Sequence, residues 1–221
     1  MSNKKNAGSL KLLGGALCLD FVNTVDGYGC EAPGEYFTRY QDLIDWSRHV
    51  GTITAAEAKT LSRSAAAHPV SAERAYRCAI ELRTVIYRIL TMTLQSLSPG
   101  GKDLAVFNDY LAAAMKKSRI VKGQKGFYWD MAGNKSELDW ILKPVVRSVA
   151  DLLISEELGR LKKCADPTCG WLFLDISRNR SRRWCDMRDC GNRAKASRFY
   201  KKKKRSNTTT SSSKMPSTQS V

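Results

Sequence analysis

Mostly helical α+β is the fold class this sequence predicts, with a small cysteine-rich module at its C-terminal end. Three observations predict it. Apolar residues recur at helical spacing through most of residues 1–159, short glycine-flanked apolar runs interrupt them, and four of the seven cysteines fall between positions 164 and 190. The 221 residues, 43% of them hydrophobic, suffice for one good-sized domain plus a module.

The opening GALCLDFVNTVDG, residues 15–27, is short and glycine-flanked, which predicts a strand with Leu19, Phe21 and Val22 buried. In DLIDWSRHV, Leu43, Ile44 and Val50 keep helical spacing, and Gly51 sits where a helix stops. Thr54 and Glu57 form a capping box, opening a helix that Pro69 closes. Ser71 caps a long helix with Ala75, Cys78, Ala79, Leu82, Val85, Ile86, Ile89 and Leu90 on its apolar face, and Pro99-Gly100-Gly101 ends it. Another helix spans about Leu104 to Lys117. In SRIVKGQKGFYWDMAG the period changes, and the runs around Gly123 and Gly126 predict a β-hairpin. Ser136 starts the last helical stretch, with Pro144 as a bend or restart and an end near Gly159. Cys18 and Cys30 read as unpaired thiols, as does Cys78 on its helix.

No stretch approaches the ~20 apolar residues of a membrane span. Lys4 and Lys5 before LLGGALCL imitate a lipoprotein signal, but Leu17 stands before Cys18 where a small residue is needed for cleavage. The expectation is a cytoplasmic protein without a membrane partner. Residues 206–221, SNTTTSSSKMPSTQSV, have too few apolar groups to offset ordering entropy and are expected to be disordered.

Cys164, Cys169, Cys185 and Cys190 form two Cys-x4-Cys pairs with fifteen residues between them. Two matched pairs at this separation suit a single tetrahedral Zn2+, each pair supplied by one turn. Pro167 and Gly170 bend the first pair into a knuckle. WLFLDI and SRRWC then pair as a hairpin across a turn near Asn179, leading to a helix from about Asp189. Knuckle, hairpin and helix in that order resemble a treble clef, in which zinc replaces much of the core that so small a module cannot build. Trp171, Phe173 and Trp184 supply the remaining apolar cluster.

Charge is concentrated in the same place. The chain carries +16, and residues 161–205 hold 15 Lys/Arg against four Asp, a net +11. That excess exceeds what four thiolates around a divalent ion require, and it points to a phosphate-backbone partner, most of all duplex DNA. Candidate contacts are Arg178, Arg180, Arg182 and Arg183 in the hairpin, and Lys195, Arg198, Lys202 and Arg205 on one helix face. Lys201 belongs to the same run, which reads either as a phosphate contact or as a solvated helix end. Arg193 either braces the metal site or holds a phosphate. Ala196, Phe199 and Tyr200 share the other side of that helix.

CADPTC, WLFLDISRNRSRRWC and CGNRAKA closely resemble the CGNR zinc finger, and LCLDFVNT, ELR and the helical remainder are similar to the ABATE domain that usually precedes it. The resemblance implies a stress-induced bacterial transcription regulator. It divides the chain into an ABATE-like domain (1–159), a zinc finger with a basic helix (160–205) and a tail (206–221). The first part carries its own apolar periodicity and is expected to fold without the finger.

His49 and His68, the two histidines, lie near helix ends far from the finger. The finger hairpin therefore has no histidine base, and a zinc held by four sulfurs keeps no open position for water. No enzyme is expected. Asp20 and Asn23, set among apolar residues, either cap neighbouring backbone or line an effector pocket with Arg83. The N-terminal domain then senses a small molecule or forms a homodimer. The other functional readings are RNA binding by the same surface, a protein-interaction adaptor and a zinc-thiolate redox sensor.

Overall fold

The computed structural model describes residues 6–28, 30–116, 118–124, 126–131 and 137–211. The chain runs through α1 (Leu17–Val22), β1 (Val25–Asp26), β2 (Gly34–Glu35), α2 (Tyr40–His49), α3 (Ala55–Ala67), α4 (Pro69–Leu94) and α5 (Gly101–Lys116). Then follow the hairpin β3 (Ser118–Gly123) and β4 (Gly126–Met131), α6 (Lys143–Leu153), β5 (Leu161–Lys163), β6 (Leu172–Leu174) and α7 (Asn192–Ser211). Among the described residues the strands form three separate antiparallel pairs and helices dominate, which is the mostly helical α+β class expected.

The segment Leu17–Val22 is a helix, not the strand expected. Cys18, Leu19, Asp20, Phe21 and Val22 are all buried, so no exposed face gives the run a readable period. Burial pushes the Cys18 thiol up to about 11. The Asp20 carboxylate accepts from the Gly14 amide at 2.8 Å and closes the entry turn. Gly14 must be glycine there, because a Cβ would stand 2.6 Å from that of Leu19.

Thr54 and Glu57 make the reciprocal capping box the sequence predicts. Pro69, expected to close α3 with Ser71 capping the next helix, instead opens α4. Its missing N–H costs nothing at a first helical position, and its fixed φ suits a helix start. The α4 face from Ala75 to Leu90 is buried as expected, with Cys78 only partly covered at its edge. The β3–β4 hairpin pairs Gly123 with Gly126 across its turn. Pro144 lies in the first turn of α6, so it is a restart. Ser136, the expected helix start, is outside the described residues.

The finger strand pairing differs from expectation. β6 pairs with β5, in register Leu161–Leu174 and Lys163–Leu172, and residues 181–185 form no strand. One carboxylate accounts for this. Asp175 accepts from the Ser177 amide and hydroxyl, from the Arg182 amide at 2.9 Å and from Lys162 Nζ at 2.7 Å. Burial alone would raise its pKa, but these donors outweigh burial and hold it well below the carboxylate range. The returning segment thus finds its partners in a side chain and needs no ladder. At the far end, the backbone of residues 206–211 continues α7 where disorder was expected. Propagation of an existing helix gains one hydrogen bond per residue fixed. Residues 212–221 lie outside the described residues.

A single core runs through both halves of the chain. Leu172, Phe173, Leu174 and Trp171 are buried in the same cluster as α1, α2, α4 and α6. Asn23 seals the seam: its amide donates to Leu172 O at 2.8 Å and accepts from Leu172 N at 2.9 Å, as a neighbouring strand would. Leu174 N reaches Gly14 O, and Trp171 Nε1 reaches Val25 O. The periodicity of residues 1–159 predicts independent folding, but with Trp171–Leu174 in the same core a chain ending at residue 159 is instead expected to lose cooperative unfolding and to bind anilinonaphthalene sulfonate. An unchanged melting temperature for that fragment would show the N-terminal core to be self-sufficient. In the full chain, Asn23→Ala strands two buried backbone groups and is expected to cost about 1–3 kcal/mol in denaturant titration.

Candidate metal centre

Two short turns build the site. In the first, the Asp166 carboxylate accepts from the Thr168 amide and hydroxyl, and Cys169 N closes back on Asp166 O at 3.1 Å. Gly170 follows with φ +75°, and a Cβ there would meet Tyr28 Cβ at 2.5 Å. Both conditions exclude other residues. In the second turn, Asp186 caps the Arg188 amide, and a π-helical turn over Met187–Gly191 brings Cys190 inward before α7 begins. A Cβ at Gly191 would meet Met187 Sδ at 2.5 Å, a contact the exposed Met187 side chain can relieve by moving. Asn192 donates to Arg188 O, which braces the start of α7.

The four sulfurs of Cys164, Cys169, Cys185 and Cys190 are buried and lie within 4.8 Å of one another. Cys185 Sγ stands 3.6 Å from both Cys169 Sγ and Cys190 Sγ. At a ~2.3 Å Zn–S bond, tetrahedral geometry puts neighbouring sulfurs roughly 3.8 Å apart. The cluster fits one structural zinc, and four thiolates leave it a net negative charge. Arg193 answers that charge. Its Nη2 reaches Cys190 Sγ at 3.1 Å while Nε pairs with Asp166 at 2.6 Å, tying the second turn to the first. Burial would raise the Asp166 carboxyl, but Arg193 and Thr168 hold it below its ordinary value. Such outer contacts orient and tune metal ligands.

The remaining arginines divide by environment. Arg182 is turned inward: it donates to Trp184 O and Cys185 O and stacks 4.3 Å above the Phe173 ring. Arg178, Arg180 and Arg183 are exposed, as are Lys195, Arg198 and Lys201 on α7. Arg183 and Arg198 both lie over the Trp184 ring. Lys202 and Arg205 fall within the backbone of α7.

Asp20, Asn23 and Arg83 each have partners inside the protein. Asp20 holds Gly14, Asn23 holds Leu172, and Arg83 makes a two-pronged pair with Glu35 and donates to Thr24 Oγ1. Asp20 and Asn23 thus satisfy backbone groups, one of the two roles read from the sequence, whereas Arg83, read there only as a pocket residue, is held by the Glu35 and Thr24 side chains. Sequence reasoning missed Tyr28 and Tyr87. Their rings stack at 3.8 Å, Tyr28 N donates to Cys169 O, and Tyr87 Oη donates to Gly170 O, so the knuckle rests on α4. No local pattern announces partners so distant in sequence.

Purified protein is expected to hold about one zinc per chain, with Cys164→Ser and Cys190→Ser each losing it. Because the knuckle carbonyls hold Tyr28 and Tyr87, chelation should lower the melting temperature of the whole chain as well as of the finger. Full zinc retention in both variants by metal analysis would rule the site out.

Family models agree with this architecture. The ABATE model, described as “putative stress-induced transcription regulator”, matches residues 15–156, and the CGNR zinc finger model matches residues 160–203. No curated protein matches the chain. The ABATE match alone covers more than half of the 221 residues, so the chain belongs to the ABATE family, and a CGNR zinc finger follows that domain.

Proposed function

We propose that this regulator binds duplex DNA through its zinc finger, with the metal fixing the base of a cationic helix. One observation carries the reading. Arg178, Arg180, Arg183, Lys195, Arg198 and Lys201 are exposed around the finger, and none has a carboxylate partner among the described residues. Arg182, Arg193 and Lys162, by contrast, are spent on Phe173, Asp166 and Asp175. Lys162, Arg193 and, from the N-terminal segment, Lys11 take up the finger's acids, and the surplus cations face solvent, where a polyanion can use them. Residues 1–159 would then orient the finger, and 160–205 would make the contact.

A second reading, RNA binding, draws on a different surface. On the finger, Trp171 and Phe173 are buried at 7% and 0% exposure, so its sheet offers no stacking platform. The β3–β4 hairpin does expose Phe127, Tyr128 and Trp129. Aromatics on an open sheet are the usual seat for unpaired bases. Along this chain no described helix is long and apolar enough to cross a membrane.

Fluorescence anisotropy across a salt series separates the two readings. Log affinity for duplex DNA should fall linearly with log salt, by roughly 0.9 per phosphate contact. Arg198→Ala should reduce that slope by about one and weaken all sequences alike, while zinc stays bound. Tighter binding to single-stranded RNA, lost in Trp129→Ala, would favour the second reading. Absence of salt-dependent binding to either would remove both.

A further inference from the structure

Helix α7 leaves the body of the protein with two large aromatics in solvent. Phe199 is 65% exposed and Tyr200 70%, and their rings touch edge to face with centroids 5.9 Å apart. At 100° per residue, Ala196, Phe199 and Tyr200 form one side of the helix, and Lys195 and Arg198 project from the other. Exposed single apolar residues are common, but two adjacent aromatics on an otherwise polar helix need a partner with apolar surface. The partner must also tolerate the dense positive charge beside them. A second copy of α7 would cover the aromatics but leave Lys195, Arg198 and Lys201 on the other side without a countercharge, which a duplex supplies.

We infer that the Ala196–Phe199–Tyr200 side of α7 packs on thymine methyl groups in the major groove of duplex DNA; this rests on the DNA-binding reading above. The dimensions agree. A helix with its side chains is about 10–12 Å across, which a major groove ~12 Å wide admits and a minor groove ~6 Å wide does not. A helix lying there has one side toward the groove floor and another toward the phosphate wall. The cationic side suits the wall. On the floor, the thymine C5-methyl is the apolar group that base edges present, and phenylalanine and alanine are its natural contacts. The arrangement gives the aromatic side a role in choosing sequence, separate from the phosphate contacts that supply affinity.

The test uses the full chain, a duplex selected by it from a random library, and the same duplex with uracil in place of each thymine. Uracil keeps the pairing and removes the methyl alone. Wild type should bind the uracil duplex more weakly, by roughly fourfold for each methyl contacted. Phe199→Ala and Tyr200→Ala should bind both duplexes equally, with zinc content, melting temperature and salt slope unchanged. Lys195→Ala should do the reverse, keeping the preference for thymine and losing slope. Equal wild-type affinity for the two duplexes overturns the inference and leaves the DNA-binding reading standing. Failure to recover any duplex overturns both. Self-association by sedimentation that vanishes in Phe199→Ala, with DNA affinity intact, would assign the aromatic pair to a second copy and overturn it too.

Discussion

The pairing of Asn23 with Leu172 joins two segments 149 residues apart, and the rest of the structure is arranged around that joint. A primary amide sets an N–H donor beside a carbonyl acceptor in nearly the geometry of a peptide group, so Asn23 closes the free edge of a three-residue strand without a third strand. Gly14 O takes the next amide along, and Trp171 is anchored to Val25 O. With both faces and both edges of β6 covered, its leucines and Phe173 are as deeply buried as any residue of the helices. A finger of this size has too little apolar surface to fold by burial alone. Here it draws on zinc and on the core of its neighbour together.

The seam also explains how so much positive charge is tolerated beside four thiolates. Charge near the metal is neutralised locally and geometrically: Arg193 bridges a sulfur and Asp166, and Lys162 sits on Asp175. Lys11, from the N-terminal segment, pairs with Asp186 and Asp189 at the second turn, and this adds an electrostatic contact across the same junction. All four acids of the module are thereby committed to holding the knuckle, the turn and the start of the helix. What remains is the outward charge of Arg178, Arg180, Arg183, Lys195, Arg198 and Lys201, all exposed.

Features set by near neighbours were legible in the sequence. The cysteine spacing, the Thr54–Glu57 capping box and the apolar face of α4 all depend on residues a few positions apart, and each took the expected form. Failures came where a distant partner decided the outcome. Leu17–Val22 is a helix because it is surrounded on every side, and complete burial erases the period that would announce it. The hairpin partner of β6 was misassigned because Asp175 satisfies the Arg182 amide that a strand would have used. Asp20 and Asn23 stood out correctly as polar residues in apolar company, yet the sequence could not show that their partners are Gly14 and Leu172.

One consequence concerns how α7 is mounted. Tyr87 on α4 holds Gly170 O, Tyr28 holds Cys169 O, a zinc on the four sulfurs would tie Cys169 to Cys190, and Cys190 stands two residues before α7. Each link is a short buried contact or a coordinate bond. A finger carried on a flexible linker could approach its partner in any orientation and would pay to fix one on binding. This one has that orientation fixed in the fold, so its helix leaves the N-terminal domain from a set point. Without metal the link between the two turns would rest on the half-exposed Arg193–Asp166 ion pair, a weak constraint in water, on the Ala165 N–Arg183 O bond and on the Cys185 N–Cys164 Sγ contact. A zinc held by the four sulfurs would do two things in one place, completing the core of the finger and setting where its basic helix points.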